Sequence, residues 1–175
     1  MNERIPISTI DVSVIIPTRN RVDSLLRVLQ SLIIQTYPFN KYEILVIDNG
    51  SSDNTMERVC TFSRTNENVR YFLEETPGLH NGRHRGAQEA RGSILAYIDD
   101  DVLIPEKWVE AVYESFSNSR IGVVTGNVLP LYEVPPPEWL NIFWDDCRYG
   151  KVLGWLSLLD FGNKAIEIDS NYVFG

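Results

Sequence analysis

Short apolar runs alternate with amphipathic segments along most of the chain. Each apolar run is five or six residues long, which is the length of an ordinary buried strand. Each amphipathic segment repeats its apolar side chains at intervals of three and four residues, which places them on one face of a helix. The pattern predicts strands at residues 12–16, 42–47, 69–73, 94–98 and 121–125.

Helices are predicted between these strands, and their ends coincide with residues that cap or interrupt helices. Ser52 or Asp53 is suited to cap the second helix, Gly92 follows the third, and Pro105 suits the first turn of the fourth. The predicted helical segments are residues 22–36, 56–62, 78–90 and 105–116. Strands that alternate with helices in this way form a mostly parallel sheet with helices on both faces, so the predicted fold class is α/β.

The amino-acid composition of the chain changes after Asn127. Proline and aromatic residues become frequent there, with Pro135, Pro136, Pro137 and Trp139 close together. Aromatic packing against the sheet is one interpretation of this section. The other is a groove or a lid beside a site, because long sections with little regular structure are often functional.

Polar residues that follow the predicted strands are the candidates for a functional site, since ligands of parallel sheets bind beyond the carboxyl ends of the strands. Pro17, Thr18 and Arg19 follow the first strand, and Asp48 follows the second. The first of these loops offers backbone donors, a hydroxyl and a guanidinium, which suit a nucleotide. A plain turn with a helix cap explains Thr18 equally well, and Asp48 has the alternative of a turn residue.

Three consecutive carboxylates, Asp99, Asp100 and Asp101, follow the fourth strand, and we call them the acidic triplet. Like charges at contact distance repel strongly unless a cation or several donors neutralise them. A solvated acidic turn is the alternative. Hard oxygen ligands suit Mg²⁺ or Mn²⁺, which typically bind one or two carboxylates and then the phosphate oxygens of a nucleotide. A divalent cation accounts for the clustering better than a solvated turn does.

A basic cluster formed by Arg83, His84 and Arg85 precedes the fourth strand. Its positive charge suits a phosphate site, whereas the alternative is an exposed helix face, which we prefer for Arg85. His80 and His84 are left out of catalysis, because a histidine in a polar segment more often contacts solvent or makes a structural hydrogen bond.

Composition narrows the range of partners. The 175 residues include 16 basic and 24 acidic side chains, for a net charge of −8, which argues against binding to nucleic acid. Cys60 and Cys147 match no zinc-ligand spacing, and a reducing setting is the default. The N-terminus does not have the pattern of a secretory signal, and no apolar run approaches the roughly 20 residues of a membrane span. A cytoplasmic location is expected, and a peripheral contact with the inner face of the membrane stays open.

Five motifs resemble, in order, the signatures of family 2 glycosyltransferases. They are V-S-V-I-I-P-T-R-N at residues 12–20, L-x-S-L-I-I-Q-T-Y-P at 29–38, E-I-L-V-I-D-N-G-S-S-D-N-T at 43–55, P-G-L-H-N-G-R-H-R-G at 77–86 and Y-I-D-D-D at 97–101. Several motifs in this order are far more specific than any one of them. The resemblance implies the GT-A fold, a Rossmann-like arrangement of a mostly parallel sheet with helices on both faces.

The resemblance also implies a reaction and a set of site residues. The reaction is an inverting transfer of a sugar from a UDP- or GDP-sugar to a carbohydrate or lipid-linked acceptor, with Mg²⁺ or Mn²⁺ on the diphosphate. Asp99 and Asp101 are the outer carboxylates of the family's D-x-D element, with Asp101 expected to bind the metal together with Asp99. The residues expected to bind the nucleotide sugar are Pro17, Thr18, Arg19, Asp48, Arg83, Asp99 and Asp100, the last of these near the ribose. The chain departs from the family pattern at Asn81-Gly82 and His84.

The general base of such an enzyme is a carboxylate that lies further along the chain than these motifs. The ending S-N-Y-V-F-G resembles the lead-in to the next family segment. We therefore expect residues 1–175 to be a single donor-binding domain, truncated at its C-terminus, with the base beyond Gly175. Residues 127–175 are expected to form an irregular acceptor-side region, and neither Glu167 nor Asp169 is assigned as the base.

Two other functions share parts of this pattern. A nucleotidyltransferase that makes a nucleotide sugar has the same sheet and metal, but its first loop is usually rich in glycine and lysine, unlike P-T-R-N-R. A non-catalytic phosphoacceptor or nucleotide-binding domain also has acids at the ends of parallel strands. It would need an acidic pair where this chain has Pro17, Thr18 and Arg19.

Overall fold

The computed structural model describes residues 10–168. The chain divides into two units between Arg120 and Ile121. Strands and helices alternate through the first unit, with a short 3₁₀ helix, Phe39–Lys41, before the second strand. The elements of the first unit are β1 (Val12–Thr18), α1 (Val22–Ile33), β2 (Tyr42–Asp48), α2 (Thr55–Ser63), β3 (Val69–Leu73), α3 (Leu79–Glu89), β4 (Ile94–Tyr97) and α4 (Trp108–Ser115).

Between residues 10 and 120 the strands form one parallel sheet in the order β3-β2-β1-β4. The central strands β1 and β2 are buried along their whole length, which explains why their sequences are almost continuously apolar. Helices α1, α2 and α4 cover one face through a core that includes Leu29, Val59 and Val109. Helix α3 covers the other face, over Ile15 and Ile47. The predicted α/β class, with helices on both faces of the sheet, is confirmed.

Helix α3 approaches the sheet closely because it presents glycines to it. A Cβ at Gly86 would overlap Cγ2 of Ile15, and one at Gly82 would lie 3.2 Å from Cβ of Pro17. Both glycines are buried. The small residues therefore set the distance at which α3, and the basic side chains that it carries, stand from β1.

The predicted strand at residues 121–125 is wrong. Within the part of the chain that the structure describes, these residues belong to no strand, and Val123 and Val124 are 67% and 42% exposed. A run of β-branched residues becomes a strand only where a neighbouring strand accepts its hydrogen bonds. The four other predicted strands are present, and their observed bounds differ from the predicted ones by two residues or fewer.

Two predicted helix ends also differ from the structure, and one set of hydrogen bonds explains both. The backbone N–H of Thr36 donates to the carbonyl of Glu106 at 2.8 Å, so it does not extend α1. The side-chain amide of Gln35 donates to the carbonyl of Pro105, and its oxygen accepts from the N–H of Val109. These groups of residues 105–109 are therefore paired with Gln35 and Thr36, which follow α1. As a result α4 begins at Trp108 and not at Pro105.

The second unit contains a small antiparallel sheet. Between residues 121 and 168 its strands are β5 (Asp145–Cys147), β6 (Gly150–Leu153) and β7 (Leu158–Asp160), in the order β5-β6-β7. Two 3₁₀ helices, Glu138–Phe143 and Gly154–Leu156, flank β5 and β6. Leu153 and Leu159 are buried here, whereas many other apolar side chains of the unit are exposed.

None of the helices found between residues 10 and 168 has the length and the apolar character that crossing a bilayer requires.

Candidate functional site

The carboxyl ends of β1, β2 and β4 bring the predicted site residues to one edge of the sheet. Thr18 and Asp48, the last residues of β1 and β2, are paired in register. The N–H of Ile98 still donates to the carbonyl of Ile15, so the acidic triplet begins one residue beyond this bond. We call this region the carboxyl edge.

The three acids of the triplet point to different partners. Asp100 is buried, and its Oδ2 accepts a 2.7 Å hydrogen bond from Oγ1 of Thr18. Asp101 is exposed and accepts from Nη1 of Arg21 at 2.8 Å. Asp99 is also exposed, and its Oδ1 lies 3.7 Å from Nη2 of Arg83. In this structure the charge of the triplet is therefore met by a hydroxyl and two guanidinium groups.

Arg21 is a site residue that the sequence did not single out. It stands directly before α1, and its Nη1 contacts both Asp101 and, at 3.2 Å, Oδ1 of Asp100. The negative charge of Asp100 raises the pKa of Arg21 above its usual value, with a further contribution from Asp101. The sequence feature that could have identified Arg21 is its place as the second arginine of P-T-R-N-R. The sequence does not show which acids it contacts, because that depends on the fold.

Asp48 is held firmly at the end of β2. It is 2% exposed, its Oδ1 accepts from the N–H of Ser51, and its Oδ2 accepts from the hydroxyl of Tyr71, both at 2.8 Å. Burial, and then the bond to Asp48, raise the pKa of the Tyr71 phenol. Tyr71 was missed because it lies in the middle of β3, where an aromatic residue normally indicates only packing.

Asn49 positions the segment that leads into α3. Its side-chain amide donates to the carbonyl of Thr76 at 2.8 Å, and its oxygen accepts from the N–H of Gly78 at 2.7 Å. Gly78 has φ of +129°, a conformation that favours glycine. The sequence assigned Asn49-Gly50 to a turn, and φ of +76° at Gly50 agrees with that assignment.

The first two loops of the carboxyl edge are also tied to each other. Asn20, which has φ of +55°, accepts from the N–H of Ser52 through its side chain and donates its own N–H to Oγ of Ser51. The prediction that Ser52 or Asp53 caps α2 is wrong, because Asn54 is the N-cap and makes no side-chain capping bond, while Asp53 accepts from the N–H of Thr55. The hydroxyl of Thr55, which donates to Asp53, lowers the pKa of that carboxyl.

Arg83 is the member of the basic cluster that faces the triplet. Its side chain is 22% exposed, and its buried Nε has no hydrogen-bond partner in the described part of the chain. Arg85 instead pairs with Glu89 one turn along the surface of α3, as expected for an exposed helix face. His80 and His84 are exposed, and His84 contacts Gln88.

The remaining predicted site residues are Pro17 and Arg19. Pro17 is buried in β1 and packs against Gly82 of α3, so its side chain lies beneath the carboxyl edge and does not face solvent. Arg19 is exposed, and between residues 10 and 168 its side chain forms no hydrogen bond or ion pair. An open cavity of about 450 Å³ lies beside Asp101, and its wall is formed by Asn20, Arg21, Val22, Asp23, Ser24, Arg27, Asp53 and Asp101.

Replacing Tyr71 with Phe is expected to lower the free energy of unfolding by about 1–2 kcal/mol near neutral pH, because buried Asp48 loses one donor. The raised pKa of Tyr71 means that its stabilising effect is complete below pH of about 10 and is lost as the pH rises above that value. The variant should therefore lose stability less steeply above pH of about 10 than the wild type does.

Urea denaturation of both proteins across this pH range measures the effect. Tyr97→Phe, which removes a phenol that is 42% exposed, is the matched control and should change stability near neutral pH by less than about 0.5 kcal/mol. Equal stabilities of Tyr71→Phe and the wild type at neutral pH would show that the bond to Asp48 contributes nothing.

Comparisons with known proteins concern the family and the fold of the chain. Residues 13–167 match the family model described as Glycosyl transferase family 2. Glycosyltransferase AglE of Haloferax volcanii is 38% identical over 118 residues, which are 67% of this chain and 39% of that protein. The uncharacterized glycosyltransferase YibD of Escherichia coli is 35% identical over 154 residues, 86% of this chain and 44% of that protein. The chain thus spans less than half the length of these relatives.

Two solved structures show the same fold. The mannosyltransferase PcManGT from Pyrobaculum calidifontis, in complex with GDP-Man and Mn²⁺, matches with a TM-score of 0.58 and 25% identity over 63% of this chain and 33% of that chain. S. aureus TarS 1-349 matches with a TM-score of 0.58 and 24% identity over 69% of this chain and 38% of that chain. The second likeness concerns the fold alone.

Proposed function

Because the chain belongs to glycosyl transferase family 2 and has the GT-A fold, we propose that it transfers a sugar from a nucleotide diphosphate sugar to an acceptor hydroxyl, with inversion at the anomeric carbon. The observation that carries this proposal is the carboxyl edge, where Thr18 donates a hydrogen bond to Asp100, and Arg21 donates to both Asp100 and Asp101. Acids and guanidinium groups at one strand edge are the groups that a metal-bound diphosphate needs.

The nucleotide is held by the residues of β1, β2 and α3 in this proposal. Asp48 accepts from the base or the ribose, since each of its oxygens has a second lone pair besides the one used by Ser51 or Tyr71. Asp100 lies near the ribose. Arg83 approaches the base or the phosphates through the end of its guanidinium, whose Nη2 lies 3.7 Å from Oδ1 of Asp99. Arg19 adds an exposed positive charge directly after Thr18.

The chemistry of the triplet fits a divalent cation. One nitrogen of Arg21 lies between Oδ1 of Asp100 and Oδ2 of Asp101, so a positive group already stands between these two carboxylates. Asp101, with Asp99, would hold Mg²⁺ or Mn²⁺ through hard oxygen ligands. The described residues contain no preformed cluster of three acid, histidine or cysteine ligands, which agrees with an ion held in part by the diphosphate of the donor. Such an ion supplies charge neutralisation for the departing nucleoside diphosphate.

The donor is proposed to be a UDP- or GDP-sugar, and the acceptor a carbohydrate or a lipid-linked sugar. Residues 127–175 are proposed as the acceptor side of one donor-binding domain, and their exposed apolar side chains, among them Trp139 and Ile142, are suited to such contacts. Glu167 is exposed in the second unit, and Asp169 lies outside the described residues. Neither is proposed as the general base.

The products of nucleotide-sugar turnover test the proposal. The protein is incubated with UDP- and GDP-sugars and Mn²⁺, and the released nucleotides are separated by ion-exchange chromatography. A transferase releases a nucleoside diphosphate, either by transfer or by slow hydrolysis of the donor. Release or consumption of pyrophosphate would instead favour a nucleotidyltransferase and count against the proposal.

A further inference from the structure

The guanidinium of Arg21 occupies the space between two acids of the proposed donor site. Its Nη1 lies 3.2 Å from Oδ1 of Asp100 and 2.8 Å from Oδ2 of Asp101. One positive group thus neutralises two neighbouring carboxylates that would otherwise repel each other. Within residues 10–168 no second cation contacts either of these acids.

The ion pairs of Arg21 with Asp100 and Asp101 have the features of contacts that are easily broken. The side chains of Arg21 and Asp101 are 57% and 54% exposed, and exposed ion pairs are weak because water screens them. Arg21 is the N-cap of α1 and contacts the helix through its backbone carbonyl, which accepts from the N–H of Leu25, so a rotation of its side chain leaves that bond intact. Asp100 does not depend on it for position, since Thr18 donates to its other oxygen.

A guanidinium released from these acids would remain useful at the same place. Its planar fork binds phosphate oxygens through two hydrogen bonds, which the ammonium of a lysine does less well. A divalent ion cannot neutralise both the triplet and the diphosphate of a donor, so further positive charge is required beside it. Arg83 and Arg19 are proposed to supply part of that charge, and Arg21, which lies beside Asp101, would add to it.

We propose that Arg21 is an exchangeable internal counter-ion of the donor site. In the donor-free protein it neutralises Asp100 and Asp101. When a divalent cation binds Asp101, the guanidinium of Arg21 leaves Asp100 and Asp101 and binds the diphosphate of the donor. This inference rests on the proposed function and adds a phosphate-binding residue to it.

The exchange couples the binding of the divalent cation to the binding of the donor. Arg21 competes with a divalent cation when no donor is present, and it contributes to donor binding once the cation is in place. By linkage, each of the two then strengthens the binding of the other. The divalent cation alone should bind weakly, and the cation and the donor together should bind tightly.

Arg21→Gln is expected to change the two affinities in opposite directions. Without nucleotide the variant should bind Mn²⁺ about three- to tenfold more tightly, because the competing exposed pairs are absent. With saturating Mn²⁺ it should bind UDP or GDP about tenfold more weakly, because charge-assisted hydrogen bonds to the diphosphate are lost. The loss of the EPR signal of free Mn²⁺ measures the first affinity, and calorimetric titration measures the second.

Arg64→Gln is the matched control. It removes the same charge at an exposed position directly after α2, and Arg64 does not line the cavity beside Asp101. At physiological ionic strength, where the Debye length is about 8 Å, it should change both affinities by less than about twofold. Opposite changes in Arg21→Gln, beyond those of Arg64→Gln, support the inference.

Two results would overturn it. If the wild type binds Mn²⁺ and nucleotide but Arg21→Gln binds both as Arg64→Gln does, the exchange does not occur and the proposed function stands. A rise or a fall of both affinities together in Arg21→Gln would equally exclude an exchange. If the wild type binds neither Mn²⁺ nor UDP nor GDP, the proposed function fails and the inference fails with it.

Discussion

Replacing Asp101 with Asn is expected to abolish the stabilisation that a nucleoside diphosphate gives the protein in the presence of Mn²⁺. At a nucleotide concentration about 100 times its Kd, the wild type should gain about 2.7 kcal/mol, or on the order of 8 °C in unfolding temperature. The variant should gain none, because the amide lacks the negative charge that holds a hard cation. The protein without ligand should unfold at nearly the same temperature in both forms, since the Asp101 side chain is 54% exposed.

Differential scanning calorimetry with and without Mn²⁺ measures both quantities. Glu57→Gln removes an exposed carboxylate of α2 and is the matched control, which should keep the full shift. An undiminished, Mn²⁺-dependent shift in Asp101→Asn would mean that the metal ligand has been misplaced within the triplet.

Replacing Glu43 with Ala is expected to lower the free energy of unfolding by about 3–5 kcal/mol, the usual cost of removing one partner from a buried ion pair. Glu43 is 3% exposed near the start of β2. Its Oε1 accepts from the hydroxyl of Ser13 at 2.8 Å and from the N–H of Arg91 at 2.6 Å, and its Oε2 accepts from Nη1 of Arg70 at 2.7 Å. The substitution leaves all of these donors without the acceptor.

Urea denaturation gives the change in stability, and Glu67→Ala, which removes an exposed carboxylate, should change it by less than about 0.5 kcal/mol. Arg70→Ala should cost less in the Glu43→Ala background than in the wild type, because the ion pair is already broken there and only the contacts of Arg70 with Glu89 and Phe72 remain to be lost. A loss below about 1 kcal/mol in Glu43→Ala would show that water replaces the carboxylate and that the network does not stabilise the sheet.

The sequence predicted the sheet well because its central strands are buried on both faces. Such strands have continuous apolar sequences, and β1 and β2 stand out for that reason. The run at residues 121–125 is also mostly apolar, but no strand among the described residues pairs with it, and composition alone does not indicate whether a neighbouring strand is present. The early end of α1 depends on Gln35 and Thr36, which bind carbonyls some 70 residues away in sequence.

The site was predicted in outline but not in its pairings. The rule that ligands bind beyond parallel strands identified Thr18, Asp48 and the acidic triplet. It did not show that Asp100 turns inward to Thr18 while Asp101 turns outward to Arg21, because those contacts depend on the register of β1 and β4. The hydroxyl of Tyr71 contacts Asp48 only because β3 pairs with β2, and no local sequence pattern indicates that contact.

Calorimetric titration of UDP and GDP into the protein tests the central claim most directly, with each titration performed in Mn²⁺ and again in EDTA. The account predicts that one of these nucleotides binds in Mn²⁺, that its binding is lost in EDTA, and that Asp101→Asn binds it in neither condition. Equal binding of the wild type in Mn²⁺ and EDTA, or the absence of binding by either nucleotide, would contradict a metal-dependent donor site at the carboxyl edge.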